Sequence, residues 1–258
     1  MPVVRVNGVA LHSQHLGAGP LVAMLHGLVI GNMATWYFTA AHALSKRHRV
    51  LLYDLRGHGK SERVETGYDL GTMVGDLEAL LEASRGGEGE DGERISLVGH
   101  SYGGLVALRY AMAHPERMAR LALVDVPLSP ASIAVGLEPD LDDEEEDLFL
   151  GLPQFLQQSL TRGSRRARHL LSTLDLLLRR ASLLEDLKAE PDVTEEDLAR
   201  VSCPVLCLYG DASWFLPDSE AYAAWLPDAR RVVIPGRHHL PVESADLVRT
   251  HLEEFLHG

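Results

Sequence analysis

Cysteine is nearly missing: Cys203 and Cys207 are the only two in 258 residues. On one expected strand their Cα atoms would lie roughly 13 Å apart at about 3.3 Å per residue. A disulfide needs less than about 7 Å, so the pair reads as core thiols, and a reducing cytoplasm is the expected compartment. Positive charge is also scarce, with 24 Lys and Arg against 37 Asp and Glu and a net charge of −13. Phosphate binding needs a basic face, so a nucleic-acid partner is not expected. No apolar run approaches about 18 residues, which argues against a membrane span. The N-terminal MPVVRVNGV has no basic stretch followed by an apolar core, so no secretory signal is expected. The acidic run Glu138 to Asp147 lacks the D-x-D-x-D-G order of a calcium loop, so it reads as a solvated charged face and no metal is expected.

What is present is ordinary for a globular protein: 46% hydrophobic and 24% charged residues, and enough length for one large α/β domain. Asn7-Gly8 between Val3 to Val6 and Ala10 to His15 is a hairpin signal. Further apolar runs at Leu21 to Leu25, Val50 to Tyr53, Ile95 to Val98, Leu121 to Val124, Val205 to Leu208 and Arg231 to Ile234 predict strands. Helical spacing falls between them, near Ala34, over Tyr68 to Ala83, after Ser101 and over Ser244 to Leu256. Arg85 to Glu93 reads as a surface connection. Strands alternating with helices predict a mostly parallel sheet covered on both faces.

The stretch 127–200 breaks that rhythm, with prolines, the acidic run and leucine-rich helical patterns at Phe155 to Leu160 and His169 to Leu187. It reads as a helical cap inserted after the sixth strand of the sheet, leaving 1–126 and 201–258 as the core. Arg162, Arg165, Arg166, Arg168, Arg179 and Arg180 lie between these helical patterns and are expected to pair with the acidic run or face water.

Gly99-His100-Ser101-Tyr102-Gly103 joins a buried strand to a helix. A serine on so sharp a turn sits in strained backbone with its hydroxyl raised above the sheet edge. A bare G-x-S-x-G turns up by chance in about one sequence in ten of this length, so its placement carries the weight. A serine hydroxyl is nearly inert at neutral pH and needs a base to take its proton.

The order of a mid-sequence G-x-S-x-G, a helical insertion and a late histidine resembles the α/β-hydrolase family. The resemblance rests on His26-Gly27, on DLRGHGKS at Asp54 to Ser61, on Gly99 to Gly104 and on PGRHHLP at Pro235 to Pro241. It implies an eight-stranded, mostly parallel sheet, Ser101 as nucleophile, and an oxyanion hole from the backbone of Leu28 and Tyr102. His239, two residues before Pro241, is the expected base; the adjacent His238, at a position usually glycine in the family, is the alternative if the register differs by one. The family's common acid position, three residues past Gly210, holds Ser213 here, a poor orienter of an imidazolium. Asp125, at the end of the sixth strand, is therefore the expected acid, with Asp211 as the alternative. His26 is expected to hold the oxyanion loop, and Arg56 and His58 to form a structural turn.

Aromatic side chains near these loops, Trp36 with Tyr37 and Phe38, then Trp214 and Phe215, are candidates for an apolar substrate pocket. The expectation is a cofactor-free serine hydrolase acting through an acyl-enzyme on a small-molecule hydrophobic ester, thioester or lactone. The same resemblance also admits carbon–carbon bond hydrolysis, perhydrolase-like chemistry, acyl transfer or cyclisation, and a ligand-binding receptor without turnover.

Overall fold

The computed structural model describes residues 3–84, 94–137 and 164–257. Eight strands form one sheet: β1 (Val3–Val6), β2 (Val9–Leu16), β3 (Leu21–Leu25), β4 (Arg49–Tyr53), β5 (Ile95–His100), β6 (Met118–Val124), β7 (Val205–Gly210) and β8 (Ala229–Ile234). Their spatial order is β1-β2-β4-β3-β5-β6-β7-β8, with β1 and β2 antiparallel to their neighbours and the rest parallel. After β3 the polypeptide runs one way to β4, then returns across β3 to β5. That reversal opens a crevice at the carboxyl ends of β3 and β5, where ligands bind in open α/β sheets.

The central strands are apolar throughout because both faces are covered. Alternate residues feed opposite cores: Leu97, Leu121 and Leu123 on one side, Val98, Ala122 and Val124 on the other. Each large side chain among these, fully removed from water, stabilises the fold by about 1.5–3 kcal/mol. The first core packs under α2 (Leu70–Ala83) and α3 (Tyr102–Ala113). The second lies under α1 and the C-terminal helix. Here α1 runs through Met33–Trp36, a π-helical turn Tyr37–Ala41 and His42–Leu44.

Between β6 and β7 lie helices: α4 (Pro130–Leu137), α5 (Arg165–Asp175) with a π turn Leu176–Arg180, α6 (Leu183–Ala189) and α7 (Glu195–Ala199). Leu177, Leu183, Leu187 and Leu198 from this insertion are buried in the first core. Bonds from Ser182 N–H to Glu65 O (2.7 Å) and from Tyr68 N–H to Asp186 Oδ2 (2.9 Å) tie it down. The acidic run, Phe155 to Leu160 and Arg85 to Glu93 lie outside the described residues.

Three elements differ from expectation. Cys203 precedes β7 instead of lying on it, although both thiols are buried and free. Burial pushes their pKa values up, to about 11 for Cys203 and about 12 for Cys207. A helix not foreseen, α8 (Asp218–Trp225), connects β7 to β8. The last strand is followed by a short helix not foreseen, α9 (Leu240–Glu243), before α10 (Ala245–His257), which starts within a residue of the expected Ser244. Among the described residues no helix is long and apolar enough to cross a membrane.

Candidate active site

β5 delivers Ser101 at the crevice with φ 54° and ψ −127°, a left-handed backbone that an L-residue adopts only under strain. The flanking glycines make the turn possible. A Cβ at Gly99 would collide with the backbone of Gly103 and Gly104, and one at Gly103 with the carbonyl of His26. Ser101 N–H is anchored on Val124 O at 3.0 Å. Tyr102 opens α3, so its N–H has no carbonyl within the helix to meet.

The imidazole that reaches Ser101 belongs to His238. Its Nε2 lies 3.0 Å from Ser101 Oγ, and its Nδ1 lies 2.8 Å from Asp125 Oδ2. A carboxylate can only accept, so Nδ1 carries the proton and Nε2 presents a lone pair to the serine hydroxyl. Asp125 is fully buried at the end of β6, itself in left-handed backbone at φ 53°. Besides His238, its carboxylate accepts from Ser213 Oγ–H at 2.6 Å and Gly210 N–H at 3.3 Å.

The expectation for His239 is corrected by this geometry. The backbone turns through Gly236 at φ 142°, and it is the side chain of residue 238 that comes between Asp125 and Ser101. His239 caps α9 with its backbone instead, its carbonyl accepting from Val242 and Glu243 N–H at 2.9 Å. Its ring, 5.2 Å from that of His238, joins the wall of the cavity beside Ser101. Burial, with His238 close by, lowers its pKa to about 4. Two adjacent histidines carry no local signal of which one faces inward, and counting back from Pro241 selects the wrong one.

Asp211 is turned to Gly236, whose N–H it accepts at 3.0 Å, and so braces the turn of the histidine loop. Leu28 lines the cavity next to Ser101, on a loop held by two buried histidines. His26 accepts Leu55 N–H on Nε2 at 3.0 Å and donates from Nδ1 to Gly27 O at 2.7 Å. His58 accepts Val29 N–H on Nε2 at 2.8 Å and donates from Nδ1 to Arg56 O at 2.8 Å. Burial keeps both rings neutral, with His58 pushed down to about 3. Val29, a β-branched residue at φ 69°, shows that this loop is held under strain. Met33 N–H on Asp54 Oδ1 at 2.8 Å closes its far end.

His100 Nε2–H donates to the His238 carbonyl at 2.8 Å, fixing that residue's backbone from behind, and burial holds the His100 pKa well below the usual histidine value. Trp36 is corrected from pocket to core: it is fully buried and donates Nε1–H to Leu25 O at 2.8 Å. The aromatic that reaches the cavity from that helix is Phe38, 82% exposed. Trp214 and Phe215 pack against the His238 ring, at 5.7 and 5.0 Å between centroids, and neither lines the described cavity.

That cavity, about 520 Å³, opens at Ser101 between the Leu28 loop, α1 and the His238–Val242 segment. Asn32, Thr35, Thr39 and the histidines supply its polar atoms, and its described lining includes no Asp, Glu, Lys or Arg. Among the described residues no group of three or more His, Cys, Asp or Glu is placed to hold a metal ion.

A model of the alpha/beta hydrolase family matches residues 22–250. Pimeloyl-[acyl-carrier protein] methyl ester esterase of Aeromonas hydrophila is 31% identical over 88% of this chain and 91% of its own. The crystal structure of a hydrolase from Pseudomonas aeruginosa PA01 superposes with a TM-score of 0.76 at 26% identity, covering 98% of this chain and 96% of that one. The fold is also that of the enol-lactonase from Burkholderia xenovorans LB400, with a TM-score of 0.75, 22% identity and full coverage of both proteins. The chain belongs to the alpha/beta hydrolase family and is a hydrolase.

Proposed function

We propose that the protein is a serine hydrolase that cleaves an uncharged, largely apolar ester, thioester or lactone through an acyl-enzyme on Ser101. The observation that carries this reading is the continuous bridge from Asp125 through His238 to Ser101 Oγ, at 2.8 and 3.0 Å. His238 takes the hydroxyl proton as Ser101 attacks the carbonyl, and Asp125 stabilises the imidazolium that forms. The Leu28 and Tyr102 amides meet the oxygen as it becomes negative, at the positive end of α3. His238 then protonates the leaving group. Water entering its place gives a proton to the same Nε2 and releases the acid. Nucleophile, base and oxyanion donors all come from the protein itself.

The substrate class follows from the cavity wall. Among the described lining residues a charged group on the substrate would lose its hydration with no opposite charge to meet it. His239 adds none at neutral pH, since its pKa is lowered to about 4. The ester and lactone chemistry in the names of the Aeromonas hydrophila and Burkholderia xenovorans relatives agrees with this class.

The test is a panel of p-nitrophenyl esters of increasing acyl length with a fluorophosphonate probe alongside. Labelling should vanish in Ser101→Ala, and kcat/KM should rise with acyl length until the cavity is full. A terminal carboxylate on the acyl group should lower kcat/KM by about 100-fold or more, the scale of an unpaired buried charge. Absence of labelling in the wild type would rule out an activated serine.

A further inference from the structure

Ser213 sits on the loop after β7 and its side chain is almost wholly enclosed. Its hydroxyl oxygen accepts Phe215 N–H at 3.1 Å, which leaves its own hydrogen free to donate. That hydrogen points to Asp125 Oδ2, 2.6 Å away, the same oxygen that receives His238 Nδ1–H. The other carboxylate oxygen has the long Gly210 N–H contact at 3.3 Å. A fully buried carboxylate needs donors for its oxygens and a fixed plane to aim one imidazole. Ser213 supplies the short one, from a loop position that carries no acid of its own.

Resting on the serine-hydrolase reading above, we infer that Ser213 is a positioning residue for that reaction. It locks the Asp125 carboxylate in the orientation that holds His238 on Ser101, and through Phe215 it fixes the ring that walls His238 off from solvent. Ser213 touches neither the substrate nor the reacting atoms. Its effect on catalysis passes entirely through Asp125 and His238.

The inference separates binding from chemistry. The cavity wall does not include Ser213, so substrate binding should be unaffected by its loss. Ser213→Ala should lower kcat by about 10- to 30-fold, the scale of a hydrogen bond to a charged group, with KM within twofold of wild type. Ser213→Thr keeps the hydroxyl and should recover most of the lost rate. The far-downfield proton resonance of the His238–Asp125 bridge should be displaced in Ser213→Ala and restored in Ser213→Thr. Circular dichroism melts on all variants confirm that folded protein is compared.

Ser213→Ala with wild-type kcat, or with kcat and the bridge resonance unmoved while only the melting temperature falls, would overturn the inference. So would a threonine variant as slow as the alanine one despite an equal melting temperature. Asp125→Asn run in parallel keeps the two levels apart. If it stays active while Ser101 is still labelled by the fluorophosphonate, both Asp125 and Ser213 lose their roles. If Ser101 is not labelled in the wild type, the serine-hydrolase assignment itself fails; if Asp125→Asn is inactive while Ser213→Ala is not, only the role of Ser213 fails.

Discussion

At the scale of single residues, the site is built from neighbours that look alike and act differently. Of two adjacent histidines, one bridges Asp125 and Ser101 while the other lines the cavity as a neutral ring. Of two candidate carboxylates, Asp125 is buried against the base and Asp211 braces a turn. Asp125→Asn should therefore cut kcat by about 10³–10⁴, as expected where the base loses its tautomer and its counter-charge. Asp211→Asn, measured in the same assay, should stay within about threefold, since an amide oxygen still accepts Gly236 N–H. Ser101 and Asp125 were legible because each is tied to a strand end, and strand ends are marked by where apolar runs stop. The choice between His238 and His239 depends on the path of an irregular loop, which no periodicity records. Ser213 was visible only as a hydroxyl at a position where the family commonly carries an acid. Its hydrogen bond to Asp125 comes from packing between β6 and β7 that a linear reading does not show.

At the scale of elements, the segment Asp54 to Ser61 is the scaffold of the loop after β3 that carries Leu28. Its His58 accepts Val29 N–H, its Leu55 donates to His26, and its Asp54 accepts Met33 N–H and Lys60 N–H. His58→Phe should let the strained Val29 turn relax, lowering kcat about 10- to 100-fold, on the order of losing one oxyanion donor. Stopped-flow labelling of Ser101 by a fluorophosphonate would report the same loss in the attack step. Gly27 is where the loop after β3 meets the Ser101 turn, because a Cβ there would come 3.0 Å from His100 Nδ1 and 3.2 Å from Ser101 Cβ. Gly27→Ala should thus displace the nucleophile and reduce kcat more than it reduces the melting temperature. All eight strands were readable from apolar runs and the Asn7-Gly8 hairpin signal, and where their ends moved it was by one to three residues. The π-helical turn in α1 and the helix Asp218–Trp225 were not, since neither departs from its surroundings in composition.

For the whole molecule, the buried neutral histidines link catalysis to stability through pH. In the unfolded state His58 takes up a proton near its ordinary value of 6.5, whereas in the fold it does so only at about 3. Between those values the unfolded state binds more protons, so acidification favours it by about 1.4 kcal/mol per pH unit. The contribution is fully present above pH 6.5 and is lost as the pH falls toward about 3. His26 and His100 are shifted in the same direction by burial and steepen the loss. Urea titrations from pH 7 to 4 should show stability falling steadily, and His58→Phe should flatten that slope while starting from a lower value. An unchanged slope would mean that His58 is not held neutral by its surroundings. The first core carries this loss beyond the site, because buried leucines of the helical insertion and of α2 and α3 share it.

The central claim is the bridge from Asp125 through His238 to Ser101, and the direct measurement is turnover of a short p-nitrophenyl ester by two single variants. His238→Ala should lose about 10⁴-fold or more in kcat, the scale on which a triad base acts. His239→Ala should remain within about tenfold of wild type, shifting KM more than kcat because it alters only the cavity wall. The opposite order, with His239→Ala inactive and His238→Ala close to wild type, would contradict the account.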